Sequence, residues 1–136
     1  MRPTVGATSG MTLIEIMVVM VILGIIAGLV GVAVLDQLDE AKIKATRTQL
    51  HDIGQALDLY KLDFGSYPST SEGLRVLTSP PDNKKPYMKK IPKDQWSHEY
   101  VYISPGVNNS DSYDIESYGP DGKDGGGDDI ENWGEE

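Results

Sequence analysis

Between Ile16 and Leu35 the chain runs for twenty residues without a charge (IMVVMVILGIIAGLVGVAVL), long enough to cross a bilayer as a helix. One carboxylate, Glu15, stands at the head of that run. Beyond Leu35 the pattern changes from apolar all round to apolar on one side. Leu50, Ile53, Leu57, Tyr60 and Phe64 follow at spacings of three and four, a stripe along one helix face. No proline interrupts Asp36 to Phe64, and Ala41, Ala45 and Ala56 favour helix, while Gly54 weakens it by about 1 kcal/mol. Gly65 and then Tyr67-Pro68 stop it. The pattern predicts a helix from Thr12 to Asp63, wholly apolar in its first half and amphipathic in its second.

The polar half of the chain reads in shorter pieces. Ser69 to Leu77 (STSEGLRVL) opens on Ser/Thr caps and predicts a short helix. Residues 79–92 form a loop rich in proline and lysine. His98 to Ser104 and Ser112 to Ser117 alternate apolar and polar residues, as two short antiparallel strands do, with a turn through Pro105-Gly106 and Asn108-Asn109. From Gly119 the tail is mostly glycine and aspartate.

Composition narrows the function classes. A chain of 136 residues holds one small domain beside the apolar segment. Its net charge of -9, from 12 basic and 21 acidic residues, argues against a nucleic-acid partner. Lys84, Lys85, Lys89, Lys90 and Lys93 cluster mid-chain, whereas Ser104 to Glu136 carries ten acids against Lys123 alone. Such asymmetry suits head-to-tail contact between copies, or simply a solvated surface. Without cysteine there is no disulfide, zinc cluster or thiol chemistry, and a metal is the usual substitute staple for an exported domain. No Ser/His/Asp triad, P-loop or dinucleotide fingerprint appears, so the chain does not read as an enzyme. His51 and His98 are isolated and read as surface or satisfied residues, and Trp96 and Trp133 as core.

An acid in hydrocarbon costs about 2.5–3.5 kcal/mol at mid-membrane and less near its edge, so Glu15 is either an incidental acid solvated at the interface or one that answers a cation in the same layer. Residues Met1 to Gly10 (MRPTVGATSG) allow two readings: an uncleaved signal anchor, or a leader cut between Gly10 and Met11. Cutting there exposes the Met11 amine one helical turn from Glu15, on the same face. It could pair with its own Glu15 or with that of a displaced neighbour, where a buried ion pair specifies register.

The run Gly10-Met11-Thr12-Leu13-Ile14-Glu15 resembles the processing and assembly motif of type IV pilins and pseudopilins. That resemblance implies cleavage by prepilin peptidase after Gly10, N-methylation of Met11, and assembly through Glu15. The family usually has phenylalanine where Met11 stands and often proline at Val32. The fold it implies is α+β and type IV pilin-like. A long N-terminal helix, its lower half transmembrane, packs on a small three-stranded antiparallel sheet with a C-terminal calcium-binding loop.

The tail carries the second constellation: Gly119-Pro120-Asp121-Gly122, then Asp128-Asp129-Ile130, closing on Asn132-Trp133. Three carboxylates in a glycine-rich loop suit a hard cation with oxygen ligands, though the spacing is neither that of an EF-hand nor of an RTX repeat. A flexible acidic tail would read the same way. This loop resembles that of the major pseudopilins of type II secretion systems, where it binds calcium. By that resemblance the ligands are Asp121, Asp128 and Asp129, with a backbone carbonyl near Tyr118, and Asp124 and Glu131 are spare acids. Residues Ala56 to Asp63, Tyr67-Pro68 and Glu72-Gly73-Leu74 are also similar to the family. So is Ile91-Pro92-x-Asp94-x-Trp96, which resembles L-P-x-D-P-W-G with Gln95 and Ser97 replacing the second proline and the glycine.

The expected organisation is a leader (residues 1–10), a transmembrane and filament-core helix (11–35), its amphipathic continuation (36–64), and a periplasmic α/β part (65–136) with the calcium loop at 118–133. The resemblance implies a structural subunit of the inner membrane that polymerises into a periplasmic helical filament, the pseudopilus, and helps to drive folded proteins across the outer membrane. Its partners would be further copies, minor pseudopilins, the inner-membrane assembly platform and prepilin peptidase. Asp58 could pair with Lys89 or Lys90 of a neighbouring copy. The alternatives are a type IV pilin of a surface fibre and a monomeric, membrane-anchored calcium-binding module.

Overall fold

The computed structural model describes residues 10–134, so residues 1–9 of the expected leader lie outside the described residues. In chain order the elements are helix α1 (Leu13–Phe64), a short 3-10 helix (Leu74–Leu77), and strands β1 (Val101–Ile103), β2 (Asp114–Ser117) and β3 (Ile130–Glu131). The chain forms two compact units, divided between Asp39 and Glu40.

The first unit holds the apolar part of α1. Thr12 starts the helix, its carbonyl accepting the Glu15 and Ile16 N–H groups at 3.1 and 3.2 Å. The large apolar side chains between Met11 and Leu38 are exposed, Leu13 by 80% and Leu29 by 71%. Among the described residues of the unit nothing covers the apolar window, which is long and apolar enough to cross a membrane. The helix passes Gly24, Gly28, Gly31 and Val32 without interruption.

In the second unit the stripe read from the sequence is the core-facing side of α1. Leu50, Ile53, Ala56, Leu57 and Tyr60 are buried, and Ile43 and Phe64 pack partly against the same cluster. Ile53 and Leu57 are fully buried, each worth roughly 1.5–3 kcal/mol of transfer free energy. Gly54 has a packing reason for its poor helix propensity: a methyl there would lie 2.9 Å from the Tyr113 hydroxyl. Gly65, at φ 82, closes the helix by donating its N–H to the Lys61 carbonyl at 2.7 Å, a left-handed cap that glycine adopts without Cβ strain.

The sheet is antiparallel in the order β1-β2-β3, with Tyr102 opposite Ile115 and Ser117 opposite Ile130. Both expected strands are present but shorter than their alternation suggested. The third, β3, sits inside the acidic tail, where Ile130 turns into the core at 4% exposure. Tyrosines tie the segment around β1 to α1 and to the turn after it: the Tyr100 hydroxyl donates to Gln49 Oε1 at 2.7 Å and the Tyr102 hydroxyl to the Pro68 carbonyl at 2.8 Å. Burial raises the Tyr102 phenol to about 12 and pushes Tyr100 and Tyr113 up further.

The helix expected over Ser69 to Leu77 is instead a turn followed by a 3-10 turn. Ser69 and Glu72 form a reciprocal cap, Glu72 Oε2 accepting the Ser69 N–H and hydroxyl at 2.7 and 2.8 Å. Gly73 then takes φ 62, which ends the turn before α-helical bonding can propagate and leaves only Leu74–Leu77 helical.

The loop at 79–92 is tied to the end of α1. Lys84 pairs with Asp63 at 2.9 Å, the Tyr87 hydroxyl donates to the same carboxylate, and the Tyr87 N–H reaches the Leu77 carbonyl at 2.8 Å. The Tyr87 hydrogen bond and then that of Lys84 hold the Asp63 carboxyl below its usual range.

Candidate functional site

At the head of α1, Thr12 and Glu15 cap each other. The Thr12 N–H donates to Glu15 Oε2 and the Glu15 N–H to Thr12 Oγ1, both at 3.4 Å. This is the reciprocal box that a T-x-x-E spacing allows at a helix start, a signal present in the sequence beside the assembly motif. Gly10, Met11 and Glu15 are all exposed.

In the second unit, β2 and β3 deliver the acidic residues. Glu116, half-buried on β2, Asp124 in the loop and Asp129 just before β3 each place a carboxylate oxygen within 4.8 Å of the others. Of the three expected side-chain ligands, Asp129 belongs to this trio, while Asp121 and Asp128 stand outside it and approach each other. The Asp121 N–H donates to Asp128 Oδ2 at 3.4 Å, and a methyl on Gly126 would find Asp128 Oδ1 at 3.0 Å and Asp121 Oδ2 at 3.7 Å. Asp121 Oδ1 accepts the Lys123 N–H at 2.8 Å. Tyr118 lies between Ser117 of β2 and Gly119, half-buried. Glu116 was not among the residues singled out from the sequence; its only signal was its place on the alternating strand directly before the loop.

The electrostatics of the trio are unfavourable without a positive partner. Burial, and after it the charges of Asp124, Asp129, Glu131 and Asp114, raises the Glu116 carboxyl above its usual range. Burial and the charges of Glu116, Asp124 and Asp129 likewise raise the Tyr118 phenol. Asp129 Oδ2 accepts the Gly125 N–H at 2.7 Å, but its Oδ1 is buried with no hydrogen-bond partner. A buried, unpaired carboxylate oxygen costs free energy that a ligand would recover. The donors are all oxygens, as a hard cation requires, and the cluster could hold a metal ion.

Asp58 was expected to pair between copies, while His98 and Trp133 differ from their expected settings. Asp58 is exposed and accepts the Tyr67 hydroxyl at 2.8 Å, and among the described residues no ion pair joins it to Lys89 or Lys90. His98 is not an isolated surface residue: its ring lies against Gly122 of the acidic loop. Trp96 packs partly against the core as expected, whereas Trp133 is half-buried and outside the core cluster.

The model for protein G of the type II secretion system (T2SS) matches residues 33–133, and that for the prokaryotic N-terminal methylation motif matches residues 7–31. The chain is 46% identical to type II secretion system core protein G of Pseudomonas aeruginosa, over 92% of this chain and 94% of that one. With the protein of the same name from Escherichia coli K12 the identity is 41%, over 92% and 90%. A crystal structure of the major pseudopilin from the type 2 secretion system of enterohaemorrhagic Escherichia coli superposes with a TM-score of 0.61 at 34% identity, covering 73% of this chain and 92% of that one. An apolar helix headed by a methylation motif, a three-stranded antiparallel sheet and these matches agree: the chain belongs to the protein G family of the type II secretion system.

Proposed function

We propose that this chain is the main structural subunit of a type II secretion pseudopilus, a filament built by repeating one chain, and that it is not a catalyst. The observation that carries the reading is the apolar part of α1, whose side chains are left uncovered among the described residues of its unit. Such a surface is stable in lipid or against like helices, and a subunit that passes from one to the other exchanges one apolar environment for another. Heterologous contacts that do not close produce an open helical filament. The expected division at residues 10/11, 35/36 and 64/65 follows. A leader ends at Gly10, residues 11–35 span the inner membrane and later form the filament core, and residues 36–136 stand in the periplasm.

In this reading prepilin peptidase cuts after Gly10 and Met11 becomes the methylated N-terminus. Glu15 then answers that amine, its own or a neighbour's, and so fixes the axial register of the copies. The Thr12–Glu15 box holds the carboxylate ready at the helix start. Asp58 and Lys89, both exposed, are a candidate pair between copies. Minor pseudopilins and the inner-membrane assembly platform are the remaining partners. Calcium is the cation that best suits the acidic loop, held by Asp121, Asp128 and Asp129 with a carbonyl near Tyr118, and with Glu116 and Asp124 within reach of Asp129. When bound, it would supply the positive charge that these oxygens coordinate, joining the β2 end of the loop to its β3 end.

Intact mass of the mature protein tests the first step: the expected chain begins at Met11 and carries one added methyl. A full-length chain, or any other start, overturns the reading. Electron microscopy then tests the second. Glu15→Ala should insert into membranes as the wild type does yet assemble few filaments, and normal assembly would remove the register role.

A further inference from the structure

A buried polar chain runs beside the acidic loop and is not part of its carboxylate set. Asp94, 5% exposed, accepts the Trp96 and His98 N–H groups on Oδ1 at 3.0 and 2.7 Å. Its Oδ2 accepts the Ser117 hydroxyl at 2.5 Å. The same Ser117 oxygen, itself fully buried, accepts the Gly119 N–H at 3.2 Å. Gly119 opens the loop at φ 60, so close to the returning strand that a methyl on it would lie 2.2 Å from the Asp128 carbonyl. From the same turn as Asp94, the His98 ring faces Gly122, where a methyl would lie 2.9 Å from Cε1 and Nε2.

We propose that the turn at 94–98 is a positioning wall for the cation loop, Asp94 and Ser117 fixing Gly119 and the His98 ring fixing Gly122. The inference rests on the reading of the loop as a cation site. Its physical basis is the entropy of the loop. Gly119, Gly122, Gly125, Gly126 and Gly127 all take positive φ, and each loses more freedom on ordering than any other residue type would. Two of the five are already held by groups outside the loop, on either side of Asp121. That ordering is complete before a cation arrives, so less of the binding free energy is spent on it. Ser117 suits the task because one hydroxyl donates to Asp94 and accepts from Gly119 at once. His98 acts by shape: its buried Nδ1 makes no hydrogen bond and only approaches Asp94 Oδ2, at 3.5 Å, while the contact with Gly122 is made by the ring edge.

The test is calcium titration calorimetry on the full chain in detergent micelles, with thermal melts in calcium and in chelator. Wild type, Asp121→Ala, Ser117→Ala, His98→Ala and His98→Phe are compared. Wild type should bind and Asp121→Ala should lose most of its affinity. Ser117→Ala and His98→Ala should each raise Kd about tenfold, as outer-sphere groups do. His98→Phe, which keeps a ring against Gly122, should bind like wild type. Should Ser117→Ala fail to fold, the two His98 variants decide the matter. A Kd within twofold of wild type for Ser117→Ala and His98→Ala overturns the inference, even if both melt lower, because that is the mark of a merely structural role. A wild type that binds no calcium overturns the loop reading and the inference together.

Discussion

Asp114 is the most heavily used side chain in the second unit. Its carboxylate accepts the backbone N–H groups of Val107 and Asn108 at 2.8 Å and of Asn109 at 2.9 Å, and also the Asn108 side chain at 3.1 Å. It thereby holds the whole β1–β2 turn from the first residue of β2. Burial opposes its charge, but these hydrogen bonds outweigh burial and hold the carboxyl below its usual 3.8. Because the folded value is the lower one, the stabilisation is complete above 3.8 and is lost as pH falls through the folded value. Asp114→Ala should cost about 1–2 kcal/mol by removing the hydrogen bonds that hold the turn, whose donors are only partly buried. Denaturant melts from pH 7 downward should show wild-type stability falling below pH 4, and the variant should lack that part of the fall. Ser97 presents the opposite case. It stands where the family motif has glycine and takes φ 72, a region that costs an L-residue about 1 kcal/mol. Ser97→Gly should therefore raise stability by no more than about 0.5 kcal/mol in the same melts, once the added freedom of glycine in the unfolded chain is deducted.

At the scale of elements, what was legible depended on how local the cause was. Helix α1 could be read almost to the residue, because the stripe from Leu50 to Phe64 and the stop at Gly65 are both encoded within the helix's own turns. The turn at Pro105 to Asn109 was legible from its residue types, but its anchor was not: Asp114 looked like an ordinary polar position of a strand. The resemblance implied a third strand, but its place was illegible because β3 has two residues, Ile130 and Glu131, and its pairing partners lie thirteen and fifteen positions away on β2. For the same reason Glu116 was missed as a neighbour of Asp129; only the β2–β3 register brings them together. The acids of the loop itself were found because they are contiguous with its glycines. Gly54 shows how a weak local signal gains its meaning from another element. Gly54→Ala improves helix propensity by about 1 kcal/mol yet drives a methyl toward the Tyr113 hydroxyl, so it should destabilise the protein. Tyr113→Phe removes that oxygen, and in its background Gly54→Ala should become neutral or stabilising. Additive melting-temperature changes in the double-mutant cycle would show that the contact is not the reason for the glycine.

For the whole molecule, charge and apolar surface are segregated along the chain: no charge from Ile16 to Leu35, and ten acids against Lys123 from Ser104 to the end. The apolar end, in the reading proposed above, is stabilised by what surrounds it, lipid or other copies. Among the described residues the acidic end has no such partner, since its cluster of Glu116, Asp124 and Asp129 is self-repelling and Asp129 Oδ1 is unpaired. General screening and specific binding make different demands on that end. Sodium chloride weakens the repulsion at any exposed acid, so its effect grows smoothly with ionic strength and does not depend on one residue. A bound divalent ion stabilises only the folded loop, by about 2.7 kcal/mol when free calcium is a hundred times Kd. For a domain of this size that is a rise of roughly 10–20 °C in melting temperature. Calcium should therefore raise the melting temperature of the full chain at constant ionic strength, and chelator should reverse the rise. In Asp121→Ala the same addition should give no more than the sodium chloride control. If sodium chloride alone reproduces the wild-type rise, the acidic end is only a screened surface and the cation loop is not a site.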